Sequence, residues 1–186
     1  MGQTRPPIPV LLIAAISSNR VDAIEWGAEQ IEAAWGEVWL KTPIFDFDHT
    51  SFYNATMGDG IKKQLFAFEQ PIDPGKLPSI KNSSNAIEAV FENLRSHDVE
   101  RPINIDPGYV TEAKLILATI KDRDHRVYLG EGIYGEVTLA YYGKKWNPSR
   151  WTYPDYVSPE NLDFVEKCRL RLRQKLQVMR AEGLSR

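Results

Sequence analysis

The sequence predicts an α+β fold: a mostly antiparallel sheet with a ferredoxin-like β-α-β-β-α-β start, a C-terminal β-hairpin extension and a closing helix. Three observations lead to this prediction. A continuous apolar run occupies residues 10–16, helical and extended patterns then alternate through the first half, and a glycine-tipped pair of extended segments follows at 126–142. The first six elements match a split βαβ arrangement. The chain, residues 1–186, is expected to form a single domain.

Hydrophobic periodicity indicates the elements of the first half. The run at 10–16 is typical of a strand in the centre of a sheet, where both faces are covered. Asn19 then suits the N-cap of an amphipathic helix. A second strand is expected at 38–47, where Pro43 bends it or places it at an edge. A third strand is expected at 63–70.

Turn and capping residues mark the second half. A second helix is predicted to begin near residues 84–85, and a short strand at 102–105 is predicted to end in an Asp-Pro-Gly turn. The apolar segment 114–121 favours a strand over a helix. Ser158 and Pro159 are typical of an N-cap and a first helical position, so they predict the start of the closing helix.

Composition excludes several classes of protein. Apolar residues make up 42% and charged residues 26% of 186 positions, and the formal net charge is −2. This balance argues against wholesale nucleic-acid binding, although not against a local basic patch. The single Cys168 excludes an intrachain disulfide, and no zinc-ligand cluster occurs. Because no stretch resembles a signal peptide or a membrane span, a cytoplasmic prokaryotic protein with no membrane partner is expected.

Residues 130–137 spell a glycine pattern, G-x-G-x-x-G-x-V, that protein kinases use to cover nucleotide phosphates. The rest of the chain carries no other kinase motif, and a strand rather than a helix follows the glycines. The pattern is therefore either a phosphate cradle on another fold or the tip of a β-hairpin. We favour the hairpin, whose tip would present Tyr128, Tyr134 and Glu136.

Polar side chains are concentrated between residues 104 and 156, in and beside apolar strands. On the last strand, Tyr134, Glu136 and Thr138 share one parity and are expected on the face opposite the core. A face with several cations and hydroxyls can bind a small anionic, phosphorylated or nucleotide-like ligand; a solvated face with cross-strand ion pairs is the alternative. The predicted ligand-binding residues are Lys114, Thr119, Lys121, Arg126, Tyr128, Tyr134 and Thr138.

Three residues are candidates for acid–base or metal work if the protein is an enzyme: Asp106, His125 and Glu136. A structural role for His125 as a hydrogen-bonded residue at a strand start is the alternative. Asp46, Asp48 and His49 together could ligate a divalent cation, but acidic residues also favour the turn at a strand end. We therefore predict no metal site there, and the sequence identifies no cofactor.

A non-catalytic interaction module is the alternative function. The aromatic loop at 151–156 could stack a nucleic-acid base, or it could pack onto the protein core. The closing helix carries a basic run that could contact RNA or an acidic protein, although most such runs are solvated helix faces. That run consists of Lys167, Arg169, Arg171, Arg173 and Lys175.

Five segments between residues 47 and 156 together form a specific pattern, and the resemblance that they carry covers nearly the whole chain. They are Phe47-x-x-Thr50-x-x-Tyr53 with Met57-Gly58, Asn104-x-Asp106-Pro107-Gly108-Tyr109, Lys114-Leu115-x-Leu117-Ala118-Thr119-x-Lys121-Asp122, His125-Arg126-x-Tyr128-Leu129-Gly130-x-Gly132-Ile133-Tyr134 and Trp151-Thr152-Tyr153-Pro154-Asp155-Tyr156. This pattern resembles the prokaryotic family known as domain of unknown function 4416. The resemblance implies no established activity, fold or cofactor. Members commonly have an acidic residue at the position of Thr56 and alanine at that of Gly135.

Overall fold

The computed structural model describes residues 2–48, 53–94 and 97–183. Within these residues, nine strands and four α-helices follow one another along the chain. Their bounds are β1 (Val10–Ser18), α1 (Val21–Trp35), β2 (Val38–Lys41), β3 (Phe45–Asp46), α2 (Asn54–Met57), β4 (Lys62–Ile72), α3 (Leu77–Leu94), β5 (Asn104–Val110), β6 (Lys114–Thr119), β7 (Val127–Gly130), β8 (Ile133–Tyr142), β9 (Lys145–Pro148) and α4 (Pro159–Ala181). Short 3₁₀ turns precede α3 at Pro74–Lys76 and α4 at Pro154–Val157.

The strands form one antiparallel sheet in the order β2-β4-β1-β5-β6-β8-β7, with β3 beside β4 and β9 beside β8. The predicted α+β class, the antiparallel sheet, the C-terminal hairpin and the closing helix are confirmed. The ferredoxin-like character of the start and the single domain stay predictions.

Helices cover the sheet on both faces, because the side chains of β1 point alternately into two different cores. Leu12, Ala14 and Ile16 pack with α1 and α3 in one core. Leu11 and Ile13 belong to a second core that also contains the buried side of α4. Every residue of β1 is buried, because the strand lies between β4 and β5 and is covered above and below. The prediction of a central strand from its continuous apolar run is confirmed.

Two helix boundaries differ from the sequence-based expectation. The N-cap of α1 is Arg20 rather than Asn19, and no side chain caps this helix. Helix α3 begins at Leu77, seven residues before the predicted start near 84–85. Pro78 lies in the first turn of α3 and does not delay the helix. Proline is tolerated in the first turn of a helix, where its missing N–H would have no partner.

Three strand predictions also need correction. The segment 38–47 forms two short strands, β2 and β3, which both pair with β4. The predicted Asp-Pro-Gly turn lies inside β5, where Pro107 is opposite Ala14 and Gly108 is opposite Leu117. The sequence analysis assigned no strand between the hairpin and the aromatic loop at 151–156, but β9 (Lys145–Pro148) lies there and pairs with β8. In the last two cases pairing across the sheet overrides the local preference for a turn or loop.

No helix among the described residues is both long enough and apolar enough to cross a membrane.

Candidate functional site

An open pocket lies where β5, β6 and β8 run side by side. It holds about 940 Å³ of empty space, including the part that is open to solvent. Leu117, Ala118 and Thr119 of β6 line it, together with residues of the flanking strands, of α3 and of the loops around Tyr53 and Tyr153. The pocket therefore combines side chains that are far apart in the sequence.

The strand register brings two carboxylates to the two sides of β6. Glu136 of β8 lies opposite Leu117, and Leu117 lies opposite Gly108 of β5. Asp106 precedes Gly108 by two residues, so both residues face the same side of the sheet. Leu117 packs in the core beneath α4. Both carboxylates are consequently directed to the α4 face of the sheet and line the pocket.

Lys81 of α3 and Asp106 form the first charged pair. The Lys81 side chain is only 3% exposed, whereas that of Asp106 is 41% exposed. The Lys81 ammonium donates to the carbonyl of Ile105 at 2.8 Å and to Oδ1 of Asp106 at 3.1 Å. The Asn104 amide donates to Oδ2 at 2.7 Å. Burial raises the pKa of Asp106. Its contacts, chiefly those with Lys81 and Asn104, lower the pKa by more, so the pKa lies below the usual value for an aspartate.

Arg101 extends this network toward solvent. Its guanidinium donates to Oε2 of Glu88 at 3.0 Å and to the side-chain oxygen of Asn104. Oε1 of Glu88 accepts from the backbone N–H of Ile105 at 2.7 Å, which ties the network to β5. The Arg101 side chain lines the pocket and is held in place by acceptors on α3 and β5.

Arg126 and Glu136 form the second charged pair. Nε of Arg126 donates to Oε2 of Glu136 at 2.7 Å, and Nη1 donates to the carbonyl of Lys121 at 2.9 Å. Both side chains are almost fully buried. Nε2 of His125 contacts the same Oε2 at 3.2 Å, and its ring stacks on Trp151 with centroids 4.5 Å apart. His125 and Trp151 therefore support Glu136 from outside the pocket.

Lys63 of β4 supplies a further buried cation. Its ammonium donates to Oδ2 of Asp155 at 2.6 Å. It also lies 4.8 Å from the ring centroid of Phe47 and 4.6 Å from that of Tyr156, both within the range of cation–π attraction. Lys63 and both aromatic residues line the pocket.

Aromatic and apolar residues form the remaining wall. The hydroxyl groups of Tyr53 and Tyr153 lie 3.3 Å apart, although 100 residues separate them in the sequence. Tyr53 packs with Phe47, Met57 and Ile61 in a small cluster. Burial, followed by the contact with Tyr153, raises the pKa of Tyr53 far above its usual value, so its hydroxyl is neutral at pH 7.

The pocket brings together five of the ten residues that the sequence predicted as site residues. These are Asp106, Thr119, Lys121, Arg126 and Glu136. Thr119 accepts a hydrogen bond from the backbone N–H of Lys121. The two residues therefore define the corner where the chain leaves β6.

The other five lie elsewhere. Lys114 is exposed at the opposite end of β6, and His125 is behind Glu136. Tyr128 and Tyr134 pack against each other on the hairpin, with ring centroids 5.3 Å apart. Thr138 is buried at a β-bulge, because Val137 pairs with Ile116 while Leu139 pairs with Leu115. The bulge breaks the strict alternation from which Thr138 was predicted to share a face with Glu136.

Sequence reasoning did not find three of the pocket's cations, Lys63, Lys81 and Arg101. Lys81 precedes the predicted helix start near 84–85, so the helical pattern did not include it. Lys63 precedes the buried Leu65 by two residues, so period-two alternation already directed its side chain inward. Nothing in the local sequence around Arg101 distinguishes it from a solvated loop residue.

The glycine pattern forms a hairpin tip, as expected. Gly130 and Gly132 have φ angles of 114° and 77°, which favour glycine, while Gly135 has an ordinary φ. A Cβ at Gly135 would lie 2.8 Å from Cδ1 of Leu129, the end of a flexible side chain. The first two glycines therefore serve the turn, and the third does not need a positive φ.

Gly132→Ala is expected to destabilise the protein more than Gly135→Ala. The first change forces a left-handed conformation on alanine, at a cost of about 1–2 kcal/mol. The second needs only a shift of Leu129, so about 0.5–1 kcal/mol is expected. Urea unfolding of both variants checks this order. A larger loss for Gly135→Ala would show that the third glycine requires a bare backbone.

The Asp46–Asp48–His49 cluster lies partly outside the described residues, since His49 is not among them. Asp46 is exposed and forms an ion pair with Lys62 at 2.7 Å. In the described ranges, no group of three His, Cys, Asp or Glu side chains is arranged to hold a metal ion.

The basic residues of α4 have acidic partners within the protein. Arg171 and Lys175 both contact Glu69. Arg169 is buried, and its guanidinium lies 3.7 Å from the ring centroid of Tyr141. The ion pairs of the run are Lys167–Asp163, Arg169–Glu166, Arg171–Glu69, Arg173–Glu112 and Lys175–Glu69.

The fold and the pocket define an α+β protein with a cation-rich cleft on an antiparallel sheet. The family model described as Domain of unknown function (DUF4416) matches residues 8–171, and the chain belongs to this family. No curated protein and no solved structure matches the chain.

Proposed function

We propose that the pocket binds a small anionic ligand, phosphorylated or nucleotide-like. One observation carries the proposal: five cationic side chains from separate parts of the chain line a single open pocket, against two carboxylates. The cations are Lys63, Lys81, Arg101, Lys121 and Arg126.

Preorganisation of these cations supports the proposal. Lys81 and Arg126 are buried and are held by carbonyl and carboxylate oxygens, so little side-chain entropy remains to be lost when an anion binds. The low pKa of Asp106 indicates the same positive surroundings, because its carboxylate is stabilised in spite of burial.

The aromatic wall gives the ligand a second expected property. Phe47 and Tyr53 add apolar surface to the pocket beside its charged residues, and the hydroxyl of Tyr153 lies next to that of Tyr53. A ligand with a planar or apolar body and an anionic group fits both halves of the pocket. Thr119 is proposed to hydrogen-bond this ligand, and His125 to hold Glu136 in position.

The test compares two exposed lysines at the two ends of β6. In a thermal-shift screen against nucleotides and sugar phosphates, we expect at least one compound to raise the melting temperature. Lys121→Gln, in the pocket, is expected to weaken its binding about tenfold, the loss typical of a hydrogen bond to a charged group. Lys114→Gln, outside the pocket, is the control and is expected to bind like the wild type.

The proposal fails if no compound stabilises the wild type, or if Lys114→Gln weakens binding as much as Lys121→Gln. Arg126→Ala supplies a stronger perturbation of the pocket. Its unfolding in the absence of ligand is measured first, because this change also removes the arginine partner of Glu136.

The pocket suits a small ligand better than the basic run of α4 does. The pocket cations converge on one concave space, which is typical of small-molecule sites. The cations of α4 follow a single helix, and Arg169 among them is buried.

A further inference from the structure

Two cation–carboxylate pairs face the pocket from opposite sides of β6, and they narrow the class of ligand. One pair is Lys81–Asp106 and the other is Arg126–Glu136. A pocket that bound only a phosphate group would need the cations alone. A carboxylate facing the same space repels a phosphate, so each acid needs a separate explanation.

The carboxylates retain acceptor capacity. The side chain of Asp106 is partly exposed to the pocket, and each of its oxygens accepts one hydrogen bond. A carboxylate offers about four acceptor sites. Among the described residues, both contacts of Glu136 fall on Oε2, which leaves Oε1 as its acceptor for a ligand.

Each carboxylate already accepts hydrogen bonds from a neighbouring cation. A ligand group that donates a hydrogen bond suits the remaining acceptor sites of both carboxylates. The neighbouring donors, such as Asn85, Arg101 and Lys121, suit the acceptor oxygens of the same ligand. A hydroxyl group can both donate and accept hydrogen bonds. It can therefore donate to the carboxylates and accept from the neighbouring cations.

We propose that the ligand is a polyhydroxylated phosphate ester, a sugar phosphate or the ribose phosphate part of a nucleotide, whose hydroxyls donate to Asp106 and Glu136. Its phosphate contacts the more exposed cations, Arg101 and Lys121. The tyrosine rings of the aromatic wall contact the apolar face of the sugar. This inference rests on the proposed function and adds to it the reason for the two acids.

The test uses two phosphates that differ in their hydroxyls. Ribose 5-phosphate and n-pentyl phosphate have the same number of carbons and one phosphate each. We expect calorimetry on the full chain to show ribose 5-phosphate binding at least about tenfold more tightly, the effect of one or more hydrogen bonds to a charged group. Glu136→Gln and Asp106→Asn keep the shape of each side chain and should remove most of this preference.

The outcomes separate the two proposals. Equal binding of both phosphates, weakened by Lys121→Gln, would overturn the role of the carboxylates and leave anion binding intact. No binding of either phosphate would overturn this inference, while anion binding as such is decided by the thermal-shift screen. Because the comparison of the two ligands uses the wild-type protein, it decides the question even if a carboxylate variant does not fold.

Discussion

Gly108→Ala is expected to destabilise the protein by about 3 kcal/mol or more, at the upper end of the cost of overpacking a core. Gly108 lies in the middle of β5, opposite Leu117 of β6. A Cβ at this position would meet the carbonyl oxygen of Ile116 far inside van der Waals contact, and Cδ2 of Leu117 at 2.7 Å. Because the first obstacle is backbone, no side-chain rotation relieves it, and the two strands have to separate.

Two controls make this prediction specific. Gly135→Ala adds the same methyl group to the same sheet, but it meets only the flexible end of Leu129, so a much smaller loss is expected. Adding Leu117→Ala to Gly108→Ala removes the side-chain contact and leaves the clash with the Ile116 carbonyl. The double variant should therefore not regain stability. Recovery of stability would show that the side chain of Leu117, rather than the backbone of β6, excludes a larger residue.

The second large effect is expected at the buried ion pair of Lys63 and Asp155. Their side chains are 8% and 1% exposed, and the ammonium and carboxylate are 2.6 Å apart. Asp155→Asn removes the counter-charge and leaves Lys63 as a buried cation between Phe47 and Tyr156. Breaking one side of such a pair costs about 3–5 kcal/mol, which urea unfolding would measure.

A double-mutant cycle tests whether the pair acts as a unit. Lys63→Met replaces the cation with an apolar side chain of similar length and leaves Asp155 without its partner. We expect the double variant Lys63→Met with Asp155→Asn to be less destabilised than the sum of the two single changes, because it leaves neither charge buried alone. Strict additivity would contradict the coupling. The contribution of each residue to the stability of the wild type would then come from its packing rather than from the ion pair.

Features that depend on local interactions can be read from this sequence, whereas features that depend on distant segments cannot. The apolar run of β1, the hairpin with Gly130 and Gly132 at its tip, and the Ser158-Pro159 start of α4 were all predicted correctly. Each depends on interactions within a few residues, such as burial pattern, positive φ or the hydrogen bond from the N–H of Asn161 to the Ser158 hydroxyl. Local signals of this type are readable without the fold.

The errors arose where distant segments compete with local preference. The Asp106-Pro107-Gly108 sequence has the composition of a turn, yet pairing with β1 and β6 keeps it extended. Glycine at 108 is explained by the close approach of β6 rather than by a turn. Pro78 and the bulge at Thr138 likewise have consequences that only the neighbouring helix turn or strand reveals.

The sequence alone determined that the second half is rich in polar residues among apolar strands, and it named Asp106, Thr119, Lys121, Arg126 and Glu136. Only the tertiary structure decided that these residues share one pocket, and that Lys63, Lys81 and Arg101 join them. The physical reason is that strand register and the packing of α3 set distances between side chains tens of residues apart. No pattern along the chain encodes those distances directly.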